Sequence, residues 1–243
     1  MARFFVENVI DHPQFLTLTG ENAEHARVLR LKNGESVTVC DGKGTEYRCT
    51  VSDVSGGQIS LVVNDAAPSA AEARVRSVIY MAFPKADKLE HVIQKATELG
   101  VDEIVAFPSA RCVARPDEKA LKKKLERWHK IARSAAEQSR RGRIPTVLAL
   151  ASYEQALARA AQAELSVLFY ENERSCTFRQ AIESRPFSSC ALMTGPEGGF
   201  EDEEVEKASA AGLQICTLGR HILRCETAPL CALSALQYAA GEF

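Results

Sequence analysis

Cys190-Ala191-Leu192-Met193-Thr194-Gly195-Pro196-Glu197-Gly198-Gly199, followed beyond an acidic helix start by a second run from Leu213 to Leu218 and then Gly219-Arg220-His221-Ile222-Leu223-Arg224, decides the fold. Each apolar run reads as a strand, each ends in a glycine-bearing loop, and each loop feeds a helix. That pattern puts two stretches of exposed backbone at the same carboxyl edge of a parallel sheet, where ligands bind. The first of these helices opens Glu201-Asp202-Glu203-Glu204. Carboxylates there suit the helix dipole, but a phosphate about 4 Å from one of them would lose on the order of 4 kcal/mol at an effective dielectric near 20. The loop therefore predicts a ligand that is neutral or positive close by, and neither G-x-x-x-x-G-K-[ST] nor G-x-G-x-x-G occurs in the chain.

Working outward, Arg76 to Phe83 is a nearly continuous apolar run, as in a strand covered on both faces. Asp87 then caps a helix with the stripe Leu89, Val92, Ile93, Ala96 and Leu99, closed by Gly100, and Val101 to Phe107 completes a βαβ unit. Val147 to Leu150, Ser166 to Tyr170 and Ala191 to Thr194 read as further strands, with helices over Ser152 to Ala161 and Thr177 to Glu183. Thr227 and Pro229 open a last helix with the stripe Leu230, Leu233, Leu236 and Ala240, and so helical and apolar an end leads to an expectation of self-association through this helix. This half is expected to be α/β with a mostly parallel sheet.

From Asp117 to Arg143 a helix keeps Leu121, Leu125, Trp128, Ala132 and Ala135 on one face and carries ten cations against four anions. Such a run is either a solvated face or an anion-binding one. The local excess in a chain of net charge −2, with Arg111 and Arg115 just upstream, favours nucleic acid.

Before residue 70 the period changes to two. Ser36 to Cys40, Thr45 to Val51 and Gln58 to Val63 read as strands, with Asp41-Gly42 as a hairpin signal, after a helix from Glu21 to Leu31 that Thr19 caps. Short strands with tight turns suggest a small β-barrel, which could bind RNA or prop up a neighbour. Arg27 and Arg30 could contact phosphates from the helix or form its solvated face, and His25 reads as structural. Asn64 to Ala73, small-residue-rich with one proline, reads as the linker between domains at 1–71 and 72–243.

The 243 residues suffice for a large domain or two small ones. Eight cysteines lack C-x-x-C or Cys/His ligand spacing, so reduced thiols are expected and no metal is. No run approaches the roughly 20 apolar residues that span a bilayer, and no apolar leader opens the chain. No membrane partner is expected and the location is expected to be cytoplasmic.

Gly195-Pro196-Glu197-Gly198-Gly199-Phe200 and Leu218-Gly219-Arg220-His221-Ile222-Leu223-Arg224-Cys225-Glu226-Thr227-Ala228 together resemble the bacterial 16S ribosomal RNA uridine N3-methyltransferases of the trefoil-knotted SPOUT class. The likeness runs also through His25-Ala26-Arg27-Val28-Leu29-Arg30, Lys95-Ala96-Thr97-Glu98-Leu99-Gly100-Val101 and Glu137-Gln138-Ser139-Arg140, so it covers nearly the whole chain in order. Cys225 stands where the family more often has threonine, and His221 stands beside Arg220 where a proline-arginine pair is common. The resemblance implies a PUA-like β-barrel, a knotted α/β domain, a homodimer, S-adenosyl-L-methionine as cofactor, and 16S ribosomal RNA or the 30S subunit as partner.

Carried over by position, it implies that Thr194, Gly195, Glu197, Gly198 and Gly199, then Leu218, Gly219, Ile222 and Leu223, line the cofactor, with Tyr170 and Glu171 completing the pocket. Thr227 either contacts the cofactor or caps its helix. Arg224 is the candidate donor to the oxygen charge that develops on the base; Glu197 either accepts the N3 proton or holds a backbone amide. Arg27, Arg30, Arg111, Arg115, Gln138 and Arg140 are the RNA-binding candidates. Two other activities compatible with these motifs are ribose 2'-O-methylation of RNA and a non-catalytic role as an RNA-binding ribosome assembly factor.

Overall fold

Period-two alternation in the first third of the chain builds an antiparallel sheet with one parallel edge. In the computed structural model, which describes residues 1–7, 9, 10 and 13–243, its elements are β1 (Ala2–Phe5), β2 (Phe15–Leu18), α1 (Gly20–Val28), β3 (Ser36–Cys40), β4 (Thr45–Ser55) and β5 (Gln58–Pro68). The strand order is β1-β3-β4-β5-β2, with β1 parallel to β3. Alternate residues Val37, Val39, Cys49, Val51, Ile59 and Leu61 pack with Phe4, Leu18 and the α1 residues Ala23 and Ala26. Register shifts at Arg48/Cys49 and Val51/Asp53 mark bulges that bend the long β4–β5 ribbon, and the sheet stays open between β1 and β2 as a half-barrel.

The structure corrects several sequence expectations here. Thr19 holds the N-cap position of α1 without a side-chain capping bond, and the helix stops at Val28 rather than Leu31. β1 and β2, four residues each, add two strands to the three expected from the sequence. Residues 64–68 are not linker but the end of β5, where Asp65 faces Arg48 and Pro68 faces Thr45 at the last position of the ladder, where a missing N–H is tolerated. Beyond them, Glu72 accepts bonds from the Gly142 and Arg143 amides at 2.8 and 2.9 Å and pairs with Arg141 at 2.8 Å. The first compact unit is accordingly residues 1–72 with 136–144, and the second is 73–135 with 145–243.

The second unit contains β6 (Arg76–Ala82), α2 (Lys88–Glu98), β7 (Glu103–Phe107), α3 (Glu118–Gln138, whose last residues fall in the first unit), β8 (Thr146–Ala149), α4 (Tyr153–Ala160), β9 (Leu165–Phe169), α5 (Phe178–Glu183), β10 (Ser189–Thr194), α6 (Asp202–Ala210), β11 (Gln214–Cys216) and α7 (Ala228–Ala239). Six strands in the order β11-β9-β10-β6-β7-β8 form one sheet, parallel at every pairing. Their near-continuous apolar composition follows from helices on both faces. Ile79, Ile104, Leu165, Leu168 and Leu192 are fully buried, each stabilising the fold by about 1.5–3 kcal/mol.

Ser152 accepts the Gln155 amide, and Thr177 forms a reciprocal capping box with Gln180. Asp87 and Thr227 occupy N-cap positions without side-chain caps; the backbone of Thr227 is already helical (φ −86°, ψ −39°), so its hydroxyl is not turned back on the first turn. After β11 at the sheet edge the chain returns to the middle, where α7 packs on α2, β10 and β6.

Candidate active site

The two glycine loops are not immediate neighbours: β9 lies between β10 and β11, so three loops stand side by side at the carboxyl edge. Together they enclose a pocket of about 520 Å³. The β9 loop contributes Tyr170, Glu171 and Arg174 to its wall. From the β10 loop come Thr194, Gly195, Glu197, Gly198 and Gly199, and from the β11 loop Leu218, Gly219, Ile222, Leu223 and Arg224. Every cofactor position expected from the sequence therefore lines this pocket except Thr227, whose neighbour Ala228 at the start of α7 lines it instead.

Backbone shape at the β10 loop demands glycine. Gly199 has φ +67°, and a Cβ there would run into the Glu171 carboxylate; a Cβ on Gly195 would lie 3.1 Å from the carbonyl carbon of Gly199. The β9 loop is held by Tyr170, whose hydroxyl donates to Asp202 Oδ1 at 2.5 Å, and by Arg174, which donates to the Glu171 and Glu173 carbonyls at 2.5 and 2.9 Å. The bond to Asp202 holds the Tyr170 phenol above its ordinary pKa.

The acidic start of α6 is largely committed to structure. Glu204 is buried, accepts the Glu201 amide at 3.0 Å and the Ala110 amide at 2.9 Å, and closes a capping box with Glu201.

Lys88, in the first turn of α2, joins the loops. Its ammonium lies 3.0 Å from Glu197 and 3.2 Å from Glu226, and Glu197 also accepts the Lys85 amide at 3.0 Å. Burial alone would raise the Glu197 carboxyl, but the bonds from Lys88 and the amides outweigh it and hold the group below the usual range. Lys88 is raised in turn, chiefly by its bond to Glu197. Of the two roles open to Glu197, holding a backbone amide is directly visible. Lys88 was not among the expected residues, although a lone cation at a helix start, where the dipole disfavours it, was a readable signal.

The pocket fits S-adenosyl-L-methionine. Thr194 Oγ1 is buried in the wall without a hydrogen-bond partner among the described residues, which leaves it for a ligand. Carboxylates of Glu171 and Glu197 line the wall, glycine backbone is exposed, and Lys88 is neutralised by two acids. That donor set suits a sulfonium better than a phosphate.

The RNA-binding candidates divide between the units. Arg27, Arg30, Gln138 and Arg140 are exposed in the first, with Arg30 and Arg140 in left-handed backbone (φ 56° and 63°). In the second, Arg111 donates to the Gly198 carbonyl at 2.8 Å, directly on the β10 loop. Arg115 spends its guanidinium on the carbonyls of Ser109, Ala110 and Cys112, bracing its own turn. All eight cysteines are free. Among the described residues no helix is long and apolar enough to cross a membrane.

Residues 71–237 match the model of an RNA methyltransferase domain, and residues 18–64 that of an RNA methyltransferase PUA domain. The chain is 38% identical to the ribosomal RNA small subunit methyltransferase E of Bacillus subtilis over 98% of its own length and 96% of the relative's. It is 34% identical to the protein of that name from Mycobacterium tuberculosis, over 96% and 90%. Among solved structures, a ribosomal RNA small subunit methyltransferase E from Neisseria gonorrhoeae bound to S-adenosyl methionine superposes with a TM-score of 0.88 at 31% identity, covering 98% of this chain and 97% of that one. Both units are thus accounted for by a PUA-like domain followed by a SPOUT-type α/β methyltransferase domain.

Proposed function

Because this chain belongs to the ribosomal RNA small subunit methyltransferase E family, we propose that it transfers the methyl group of S-adenosyl-L-methionine to N3 of a uridine in 16S ribosomal RNA. The observation that carries this is the pocket at the ends of β9, β10 and β11, shaped by glycine backbone, lined by carboxylates and offering an unspent threonine hydroxyl. When bound there, the cofactor supplies an activated methyl on a positively charged sulfur.

The chain's own work is alignment and charge control. Good alignment of two reactants supplies roughly 7 to 11 kcal/mol of a barrier. Gly195, Gly198 and Gly199, with Leu218, Gly219, Ile222 and Leu223, hold the cofactor through backbone and short apolar contacts, while Tyr170, Glu171 and Thr194 close the far side. Uridine N3 carries a proton, which passes to solvent water as the N3–methyl bond forms and the sulfur–methyl bond breaks, so charge builds on the flanking carbonyl oxygens. Arg224, exposed on the pocket wall, offers a forked donor to that oxygen. Glu197, engaged by Lys88 and an amide, serves better as the clamp that sets the β10 loop than as proton acceptor. Thr227 acts through the start of α7.

Arg111 and Arg140, with Arg27, Arg30, Arg115 and Gln138, place the RNA. The active form is a homodimer in the cytoplasm; supporting the dimer, α7 exposes Cys231, Ala235 and Tyr238 along one side. Transfer of labelled methyl from S-adenosyl-L-methionine to small subunits and to naked 16S RNA, followed by nucleoside mass spectrometry, tests the whole proposal. N3-methyluridine is the expected product. A methyl on the ribose 2'-oxygen, or no transfer to either substrate, would overturn it.

A further inference from the structure

A second, smaller pocket of about 140 Å³ lies on the other side of the segment that carries Lys88. Lys88 lines the cofactor pocket, whereas its neighbours Asp87 and Leu89 line this one. Phe83, Pro84, Pro116 and the ring of Trp128 supply apolar wall, and Lys124 of α3 stands beside them. Neither the cofactor nor the helix packing uses this space.

Its polar groups are unspent. The Trp128 indole N–H is buried with no acceptor among the described residues. Asp87 stands at the N-cap of α2, but its carboxylate caps nothing. Ala86, also in the wall, is held at φ +52°, a left-handed backbone that costs an alanine roughly 1–2 kcal/mol and is concentrated at ligand sites. A small pocket of largely apolar wall with one carboxylate and one ammonium matches a heterocycle that presents a carbonyl beside an N–H. Cations at Lys119, Lys122, Lys123 and Lys124 on the same helix match the phosphates that such a ring would bring with it.

We propose that this pocket holds one unstacked RNA base bearing a carbonyl beside a ring N–H, the edge shared by uracil and guanine and absent from adenine and cytosine. Asp87 accepts the N–H and Lys124 donates to the carbonyl, with the Trp128 ring as apolar wall. A base so held has its N–H engaged, so it is not the base being methylated but another one, and its capture fixes the register of the strand across the cofactor pocket. This rests on the RNA methyltransferase function proposed above.

Trp128 is the single tryptophan of the chain, so its emission reports on the pocket directly. Oligoadenylates carrying one central U, G or C are titrated into the full-length protein loaded with S-adenosyl-L-methionine, with fluorescence anisotropy of end-labelled strands as an independent measure of binding. The expected result is that U or G in the centre quenches Trp128 emission and binds on the order of tenfold tighter than A or C, the scale of a hydrogen bond to a charged group. Asp87→Ala, which removes the acceptor, should erase that preference while leaving cofactor affinity by calorimetry as it was. Strands that bind without base preference, without any change in Trp128 emission, or with the preference intact in Asp87→Ala would overturn the inference. Loss of cofactor binding or methyl transfer in the unaltered protein would instead count against the methyltransferase function, which keeps the two failures apart.

Discussion

The Lys88 ammonium sits 3.0 Å from a carboxylate oxygen of Glu197, tying the first turn of α2 to the glycine loop that follows β10. Glu226, 3.2 Å away on the other side, brings the β11 loop into the same knot of charge. Lys88→Met leaves both carboxylates unopposed and the two loops free to part. Cofactor affinity measured by calorimetry should fall about fivefold, the scale of losing an ion pair that solvent partly screens. Lys88→Arg should recover part of the loss, and an unchanged affinity in Lys88→Met would show that the loops hold their shape without the clamp.

Arg224 is expected to act in the transition state alone. Arg224→Ala should lower kcat by on the order of 10²-fold, as loss of a preorganised donor does elsewhere, while cofactor affinity stays within about twofold. Arg224→Lys keeps the charge but not the fork and should fall in between. Steady-state kinetics with small subunits, paired with calorimetry, separates the two quantities.

Gly199→Ala should cost both stability and cofactor binding. Left-handed backbone at φ +67° costs an alanine roughly 1–2 kcal/mol, and the added methyl must push back the Glu171 carboxylate, itself part of the pocket wall. Thermal unfolding should report a lowered Tm and calorimetry a weakened or absent heat of binding. Gly212→Ala, at φ +92° with nothing near its Cβ, is the control: strained in the same way but without a neighbour in the cofactor pocket.

Acid should weaken the first unit through Glu46. Burial raises this carboxyl, but the bonds from Arg3, at 2.9 Å, and Ser69 prevail and hold it below its ordinary value of 4.5. A carboxylate depressed in the folded state stabilises it above the unfolded pKa, and that contribution is lost as the pH falls through the lowered one. Tm should therefore decline below about pH 4.5, and Glu46→Gln should flatten that decline while lowering Tm at neutral pH. Parallel slopes for the two proteins would remove Glu46 from the account.

RNA affinity should fall steeply with salt. Each phosphate contact on a single strand contributes about −0.7 to the slope of log affinity against log salt, so Arg140→Gln should make that slope shallower by about one such increment. Filter binding from 50 to 200 mM salt measures it, and an affinity flat over that range would exclude the cationic residues as the contact surface.

Much of this architecture was legible before any coordinates. The buried strands announced themselves as unbroken apolar runs, and the glycines of the β10 and β11 loops marked the pocket because only they tolerate its backbone. What escaped was what composition does not encode. Strands of four residues, such as β1 and β2, are too short for an alternation like Leu16-Thr17-Leu18 to stand out. Asp65 to Pro68 looks like linker by its small residues, yet pairs because Thr45 to Arg48 offer it a partner ladder. That β9 separates the two glycine loops is a matter of strand order, which local sequence does not carry. Lys88 escaped because its partners Glu197 and Glu226 lie more than a hundred residues along the chain.

The bond network of Glu72 with Arg141, Gly142 and Arg143 bears on how the polypeptide is made. A nascent chain released only as far as residue 72 lacks the counter-ion and both amides that this carboxylate binds, and it must wait for some seventy more residues to be synthesised. By then β6 and β7 have already emerged, so the two units mature in overlapping order during translation, and an expression fragment ending at residue 72 would lack every group that binds the Glu72 carboxylate in these bonds.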